Sequence, residues 1–326
     1  MGLRRARPDT RGLRLNGVLG DPFALGALLL AAAALRTLLR ALEAAADVGC
    51  GYKAKVLASA VFVSGREPES VLAEDTALDA YFILRLFRAV VDKQAGRVTV
   101  RALGLFRPRS ALARPGLGAA LAHGAPPRLA GPHALSGPAG PSSEFLTVDA
   151  PAGLAEIVAD AFTEPAPRRL RRTRAVVILQ GGKIVAERYA RGFSAQTRLC
   201  GWSMSKSVMG ALVGRAVERG HLRCEDRELL PVWRGPGDPR GGISIEDLLR
   251  MRSGLAFDET YANPLSDVTQ MLFARPDAAA YAAALPLEQP PGAFWKYSSG
   301  TSNILSLVLR RALRRAGADY HAFPRE

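Results

Sequence analysis

Cysteine is scarce in this chain, with three (Cys50, Cys200 and Cys224) among 326 residues. Three thiols cannot pair completely and none lies in a CxxC spacing, so a disulfide framework is excluded and a structural zinc site is not expected. Lysine is scarcer than the charge suggests, since six of the 44 basic residues are lysine and 38 are arginine. The four histidines (His123, His133, His221, His321) stand in no motif that would build a Ser-His-Asp site. Aromatic residues make up 7% of the chain and do not interleave with the basic ones, so no nucleic-acid interface is indicated. The arginines are scattered, apart from groups at 168–174 and 310–315, and the formal charge of +14 reads as a solvated basic surface. No internal repeat is evident. What remains is an ordinary globular composition, 48% hydrophobic and 23% charged, which excludes collagen-like or wholly disordered chains.

Arg4, Arg5, Arg7, Arg11 and Arg14 precede an uncharged run from Pro22 to Leu35. A basic start followed by an apolar run has the shape of a signal peptide or an inner-membrane anchor. The run is shorter than the roughly 18–20 residues a spanning helix needs. Residues 1–49 are therefore expected to form a basic N-terminus and a signal- or anchor-like helix ending near Gly49, giving a periplasmic or inner-membrane-anchored protein. The alternative is an ordinary amphipathic helix in a cytoplasmic one. Residues 50–123 read as an N-terminal structural region without a catalytic pattern. Within it Val56–Val63 is expected to be a buried segment, Ala77–Val91 a helix and Arg97–Phe106 a strand. Glycine and proline crowd residues 124–145, which read as a linker.

From residue 146 to 326 the pattern sharpens. Leu154–Phe162 is expected to be helical. Arg174–Leu179 and Ile184–Tyr189 are β-rich runs separated by Gly181-Gly182, a hairpin signal. A helix follows from about Ser203, with Gly220 placed to close it. At its start lies Ser203-Met204-Ser205-Lys206, a Ser-x-x-Lys spacing that puts both side chains on one helix face. A serine hydroxyl is a weak nucleophile unless a nearby base accepts its proton. A lysine serves as that base when burial and neighbouring positive charge bring it toward neutrality. Further on, Pro291-Gly292 leads to Tyr297-Ser298-Ser299, where a loop presents a tyrosine hydroxyl. Close to an ammonium, that hydroxyl can relay or accept a proton. Between them Ile245 to Leu255 reads as a helix closed by Gly254.

These three elements, Ser203 to Lys206, Ser253-Gly254-Leu255 and Tyr297-Ser298-Ser299, resemble in order and spacing the serine β-lactamase/D,D-peptidase superfamily. The likeness is to its class C-like branch, which includes esterases and hydrolases of 6-aminohexanoate oligomers. It implies an α+β (α/β) fold, a β-lactamase-like antiparallel sheet flanked by helices. It also implies a serine hydrolase acting on an ester, amide or peptide-like small molecule, with no cofactor and no metal. Ser203 would be the acylated nucleophile, Lys206 its proton partner and Tyr297 the hydroxyl that passes the proton to the leaving group. The Ser203 N–H would supply half of an oxyanion hole. Where class C β-lactamases have Tyr-x-Asn this chain has Tyr297-Ser298-Ser299, which fits the ester and amide hydrolases better. The family's third motif, Lys-Thr-Gly or His-x-Gly, is not found after Tyr297, so the sequence is expected to be a C-terminally truncated hydrolase. The alternative is an inactive or ligand-binding relative.

Overall fold

The computed structural model describes residues 22–76, 79–124, 151–167 and 170–325. The basic residues 1–17, nearly all of the 124–145 linker, and His133 lie outside them. The chain divides into two units, residues 1–44 and 45–326.

Helix α1 runs from Pro22 to Phe62, 41 residues without a break. It does not end near Gly49. Glycine costs a helix interior about 1 kcal/mol relative to alanine, a weak preference that packing overrides, and here Gly49 and Gly51 are contact points. A Cβ at Gly49 would lie 2.7 Å from the Phe87 ring, and one at Gly51 would strike the Phe273 carbonyl. In the first unit the helix is apolar and exposed, with Phe23, Leu29, Leu30, Leu35 and Leu38 all more than half accessible. Beyond Ala45 its character changes. Ala46, Cys50, Ala54, Leu57, Ala58 and Val61 are buried at helical spacing. Among the described residues this helix alone is long and apolar enough to cross a membrane, within Leu25–Phe62, where an 18-residue stretch reaches a mean hydropathy of 1.7.

The second unit opens with that buried half of α1, a short helix α2 (Pro68–Glu74) and a four-stranded antiparallel meander. Its strands are β1 (Phe87–Asp92), β2 (Arg97–Ala102), β3 (Arg109–Arg114) and β4 (Gly118–Leu121). Val98, Val100 and Ala102 of β2 alternate into the core shared with α1, as a half-buried strand requires. The helix expected over Ala77–Val91 is instead a 3-10 turn at Asp79–Leu86 followed by β1. Leu84, Phe87 and Val91 have helical spacing, but Val90 and Val91 pair with Thr99 and Val98 of β2. Tertiary pairing overrides the local pattern there. The buried Lys53 side chain donates to the Leu84 and Phe87 carbonyls at 2.7 Å each and fixes this corner.

Helix α3 (Leu154–Ala161) and the hairpin β5 (Ala175–Gln180)–β6 (Lys183–Tyr189) form as expected. Gly181 and Gly182 both take positive φ, 56° and 74°, the requirement of a tight two-residue hairpin turn. The remaining helices are α4 (Met204–Glu218), α5 (Ile245–Leu249), α6 (Asp267–Phe273), α7 (Ala278–Ala283) and α8 (Ser299–Arg315). Ile304, Val308, Leu309, Ala312 and Leu313 of α8 form its core face, packed with Val213 and Ala216 of α4 and Leu248 of α5. Trp233, 1% exposed, completes this core and donates its indole N–H to the Ala283 carbonyl at 2.9 Å. The buried half of α1 meets these helices where Tyr52 packs edge-on against Phe273 at the end of α6, ring centroids 5.3 Å apart.

Candidate active site

Three chain segments converge at the start of α4. Ser203 is the residue before the helix, with φ −68° and ψ −12°. A serine in this place usually caps the helix, yet the Ser203 side chain makes no capping bond. Its hydroxyl is exposed and turned to other partners. Trp202, just before it, holds φ at 41°, a left-handed conformation that costs a bulky residue on the order of 1–3 kcal/mol. Lys206, one turn along α4, brings Nζ to 3.2 Å from Ser203 Oγ.

Tyr297 arrives from the other side of the site, and the second motif explains how. The N-terminus of helix α5 is capped by the reciprocal Ser244–Asp247 box, in which Ser244 Oγ accepts the Asp247 N–H and the Asp247 carboxylate accepts the Ser244 N–H. It ends at Leu249, short of the expected closure at Gly254, because Met251 turns left-handed at φ 56° and its carbonyl accepts the Lys296 N–H at 2.9 Å. The Arg252 carbonyl takes the Gly292 N–H at 2.8 Å, and the Gly254 carbonyl takes the Glu288 N–H at 2.9 Å. Gly254 itself has φ 76°, and a Cβ there would collide with the Gln289 carbonyl. The Ser253-Gly254-Leu255 segment is thus the seat on which the 288–297 loop rests. That loop delivers the Tyr297 hydroxyl to 2.8 Å from Ser203 Oγ.

The three residues singled out from sequence are therefore brought together. Lys206 Nζ also lies 4.7 Å from the centroid of the Tyr297 ring. Burial pushes the Tyr297 phenol up, but its hydrogen bonds with Lys206 and Ser203 and the ammonium charge outweigh that, leaving its pKa below the ordinary tyrosine value. Among the described residues the Ser203 N–H has no backbone acceptor. Trp202, Met204, Phe294 and Trp295, from the segments that carry Ser203 and Tyr297, are exposed and leave apolar surface beside the cluster. A cavity of about 680 Å³ lined by Leu222, Arg227, Arg311, Arg314 and Arg315 shares no residue with this cluster.

Two further residues join the site without any motif to announce them. Glu259 accepts from the Ser299 hydroxyl at 2.5 Å and from the Ser299 N–H at 2.8 Å. Ser299, buried at the start of α8, lies with its Oγ 3.3 Å from Lys206 Nζ. The Tyr261 hydroxyl is 3.4 Å from the same oxygen. Nothing in the Phe257–Tyr261 stretch distinguishes Glu259 from other surface acids. In sequence Ser299 stands out only as the residue at the place of the asparagine of class C β-lactamases.

A family model described as Beta-lactamase matches residues 158–326, just over half of the chain. The chain belongs to that family. Its α+β build, with an antiparallel hairpin and flanking helices, is the one the family resemblance implies. The chain is similar, at 30% identity over 96 residues, to the 6-aminohexanoate-dimer hydrolase of Paenarthrobacter ureafaciens. That match covers 29% of this chain and 24% of the relative, so the chain spans about a quarter of the length of the curated protein it matches. A solved structure described as a candidate 6-aminohexanoate-dimer hydrolase from Bacillus anthracis aligns with 52% of this chain and 44% of that one. Its sequence identity is 17% and its TM-score 0.35, so it adds nothing to the assignment.

Proposed function

We propose that this β-lactamase-family chain is a serine hydrolase that opens an ester or amide bond through an acyl-enzyme on Ser203. The observation that carries this reading is the convergence on Ser203 Oγ of Tyr297 Oη at 2.8 Å and Lys206 Nζ at 3.2 Å. The nucleophile and its proton acceptor are already within hydrogen-bond reach, the condition for activating a serine. In the forward step the Ser203 hydroxyl loses its proton to the phenolate of Tyr297, the form that the neighbouring Lys206 ammonium favours. Oγ then bonds to the substrate carbonyl carbon, and the tetrahedral oxyanion faces the Ser203 N–H. Collapse breaks the bond to the leaving alcohol or amine, which takes the proton from Tyr297. Water, deprotonated by the same pair, releases the acid and restores Ser203. The substrate class is the one that the relative's name suggests, a small amide, or the esters that share its acyl chemistry. Incubation of the intact chain with a fluorophosphonate tests the reading by mass. One adduct, absent from Ser203→Ala, is expected; a folded chain that takes no label would make it an inactive or ligand-binding relative.

We also infer that α1 holds the protein at a membrane, in the periplasm or on the inner membrane. The exposed stretch from Phe23 to Leu42 is about 20 residues, and at 1.5 Å per residue it is about as long as a bilayer's hydrocarbon core is thick. Fractionation of the full chain tests this, with recovery in the membrane pellet expected.

A further inference from the structure

The hydrogen bonds around Lys206 do not stop at the three catalytic groups. Ser299 has one hydroxyl proton, and its 2.5 Å contact with Glu259 Oε1 uses it. A carboxylate accepts only, so the direction of that bond is fixed. The lone pairs of Ser299 Oγ are then left to face Lys206 Nζ at 3.3 Å and the Tyr261 hydroxyl at 3.4 Å. An ammonium has three donors and no acceptor capacity. Two of the Lys206 donors are accounted for, one on Ser203 Oγ and one on Ser299 Oγ. The second carboxylate oxygen takes the Ser299 N–H at 2.8 Å, which ties Glu259 to the first turn of α8 as well as to the hydroxyl.

We propose that Glu259 is a positioning residue of this site: through Ser299 it fixes the direction of the Lys206 ammonium, and its charge sets the pH range in which Tyr297 serves as the base. The inference rests on the serine-hydrolase reading of Ser203. Without the carboxylate, the Ser299 hydroxyl is free to rotate and turn its proton toward the ammonium. Lys206 would then lose a fixed acceptor and with it the geometry that points it at Ser203. The charge acts as well. Tyr297 is pulled down by Lys206 and pushed up by Glu259, and Tyr261 is raised by burial with Glu259 adding to it. Two further charges lie on the same loops and have partners of their own. Lys296 meets Glu288 at 2.5 Å, and Asp258 accepts the Thr260 N–H at 2.9 Å. Removing one negative charge favours loss of a proton from a phenol and from an ammonium alike, so the direction is the same whichever group acts as base.

The test uses the full chain with Glu259→Gln, Glu259→Asp, Ser203→Ala and Tyr297→Phe. The fluorophosphonate labelling rate of Ser203 is followed against pH. Tyrosinate absorbance of each form is recorded against a Tyr297→Phe background. For Glu259→Gln the expected result is labelling slowed on the order of tenfold, a rising limb moved to lower pH, and a Tyr297 titration moved the same way. Glu259→Asp keeps the charge and is expected to leave both pH positions near those of the parent while recovering part of the rate. A Glu259→Gln chain that labels slowly with neither pH position moved would show a packing defect and overturn the proposal. So would one that labels like the parent. A parent chain that takes no label at Ser203 overturns the hydrolase reading itself, a result distinct from either.

Discussion

At the residue scale, the site depends on two hydroxyls that do no structural work. Ser203 makes no capping bond, so Ser203→Ala is expected to change stability by less than about 0.5 kcal/mol, against about 1 kcal/mol for loss of a true serine cap. Matched thermal melts of the two chains check this. Tyr297 is partly exposed and bonded to Ser203. Tyr297→Phe is expected to keep the fold and lower Ser203 acylation by on the order of 10²–10⁴-fold, the usual worth of a positioned acid–base group. The pH dependence follows from the same phenol. Its folded pKa lies below the ordinary tyrosine value, so the basic form is retained into a lower pH range than free tyrosine allows. Acylation is expected to rise with pH through that depressed pKa and to fall away as pH drops through it, a limb absent from Tyr297→Phe. Stopped-flow acylation across pH measures it.

At the scale of elements, the critical joint is the turn after α5. The Gly254 carbonyl receives Glu288 and Gln289, and its Cα faces the Gln289 carbonyl with no room for a methyl. Gly254→Ala combines a left-handed φ with a backbone collision. It is expected to cost about 1–3 kcal/mol and, by lifting the 288–297 loop, to slow labelling of Ser203 more than the lost stability alone would. Comparing melting temperature with labelling rate at low temperature separates the two effects. This joint also shows what a linear reading can and cannot see. The Ser-x-x-Lys pair is legible because one helical turn forces its members together, and the β5–β6 hairpin because two alternating runs flank a glycine pair. The end of α5 is not legible: Met251 leaves the helix to bond Lys296, a partner far along the chain. Glu259 is hidden for the same reason. No local pattern says which acid will reach Ser299. The Ala77–Val91 stretch deceives in the opposite sense, carrying helical spacing while β2 supplies its strand partner.

For the whole molecule, the question is what α1 and the +14 charge do together. A basic protein held only by charge on an anionic surface comes off in 1 M salt, where screening acts within about 3 Å. A chain held by the apolar stretch of α1 does not. Retention in the membrane fraction after a high-salt wash is therefore expected, with extraction only by detergent. The double substitution Leu29→Arg, Leu30→Arg places two charges among the exposed leucines. At about 2.5–3.5 kcal/mol each near the middle of a bilayer, they are expected to move most of the protein to the supernatant. Thermal melting of residues 45–326 should be unchanged, since neither leucine is buried in that unit's core.

The idle cap at Ser203 has a consequence for how this position can change over evolutionary time. A serine at a helix start is ordinarily held in place by the helix it secures, whatever else it does. Here that restraint is absent, because the hydroxyl makes no capping bond to α4. A lineage that stopped needing the reaction would meet no folding penalty for replacing it. Serine at 203 in such a chain's descendants would therefore record continued use of the chemistry, and its loss would mark the branch where that use ended.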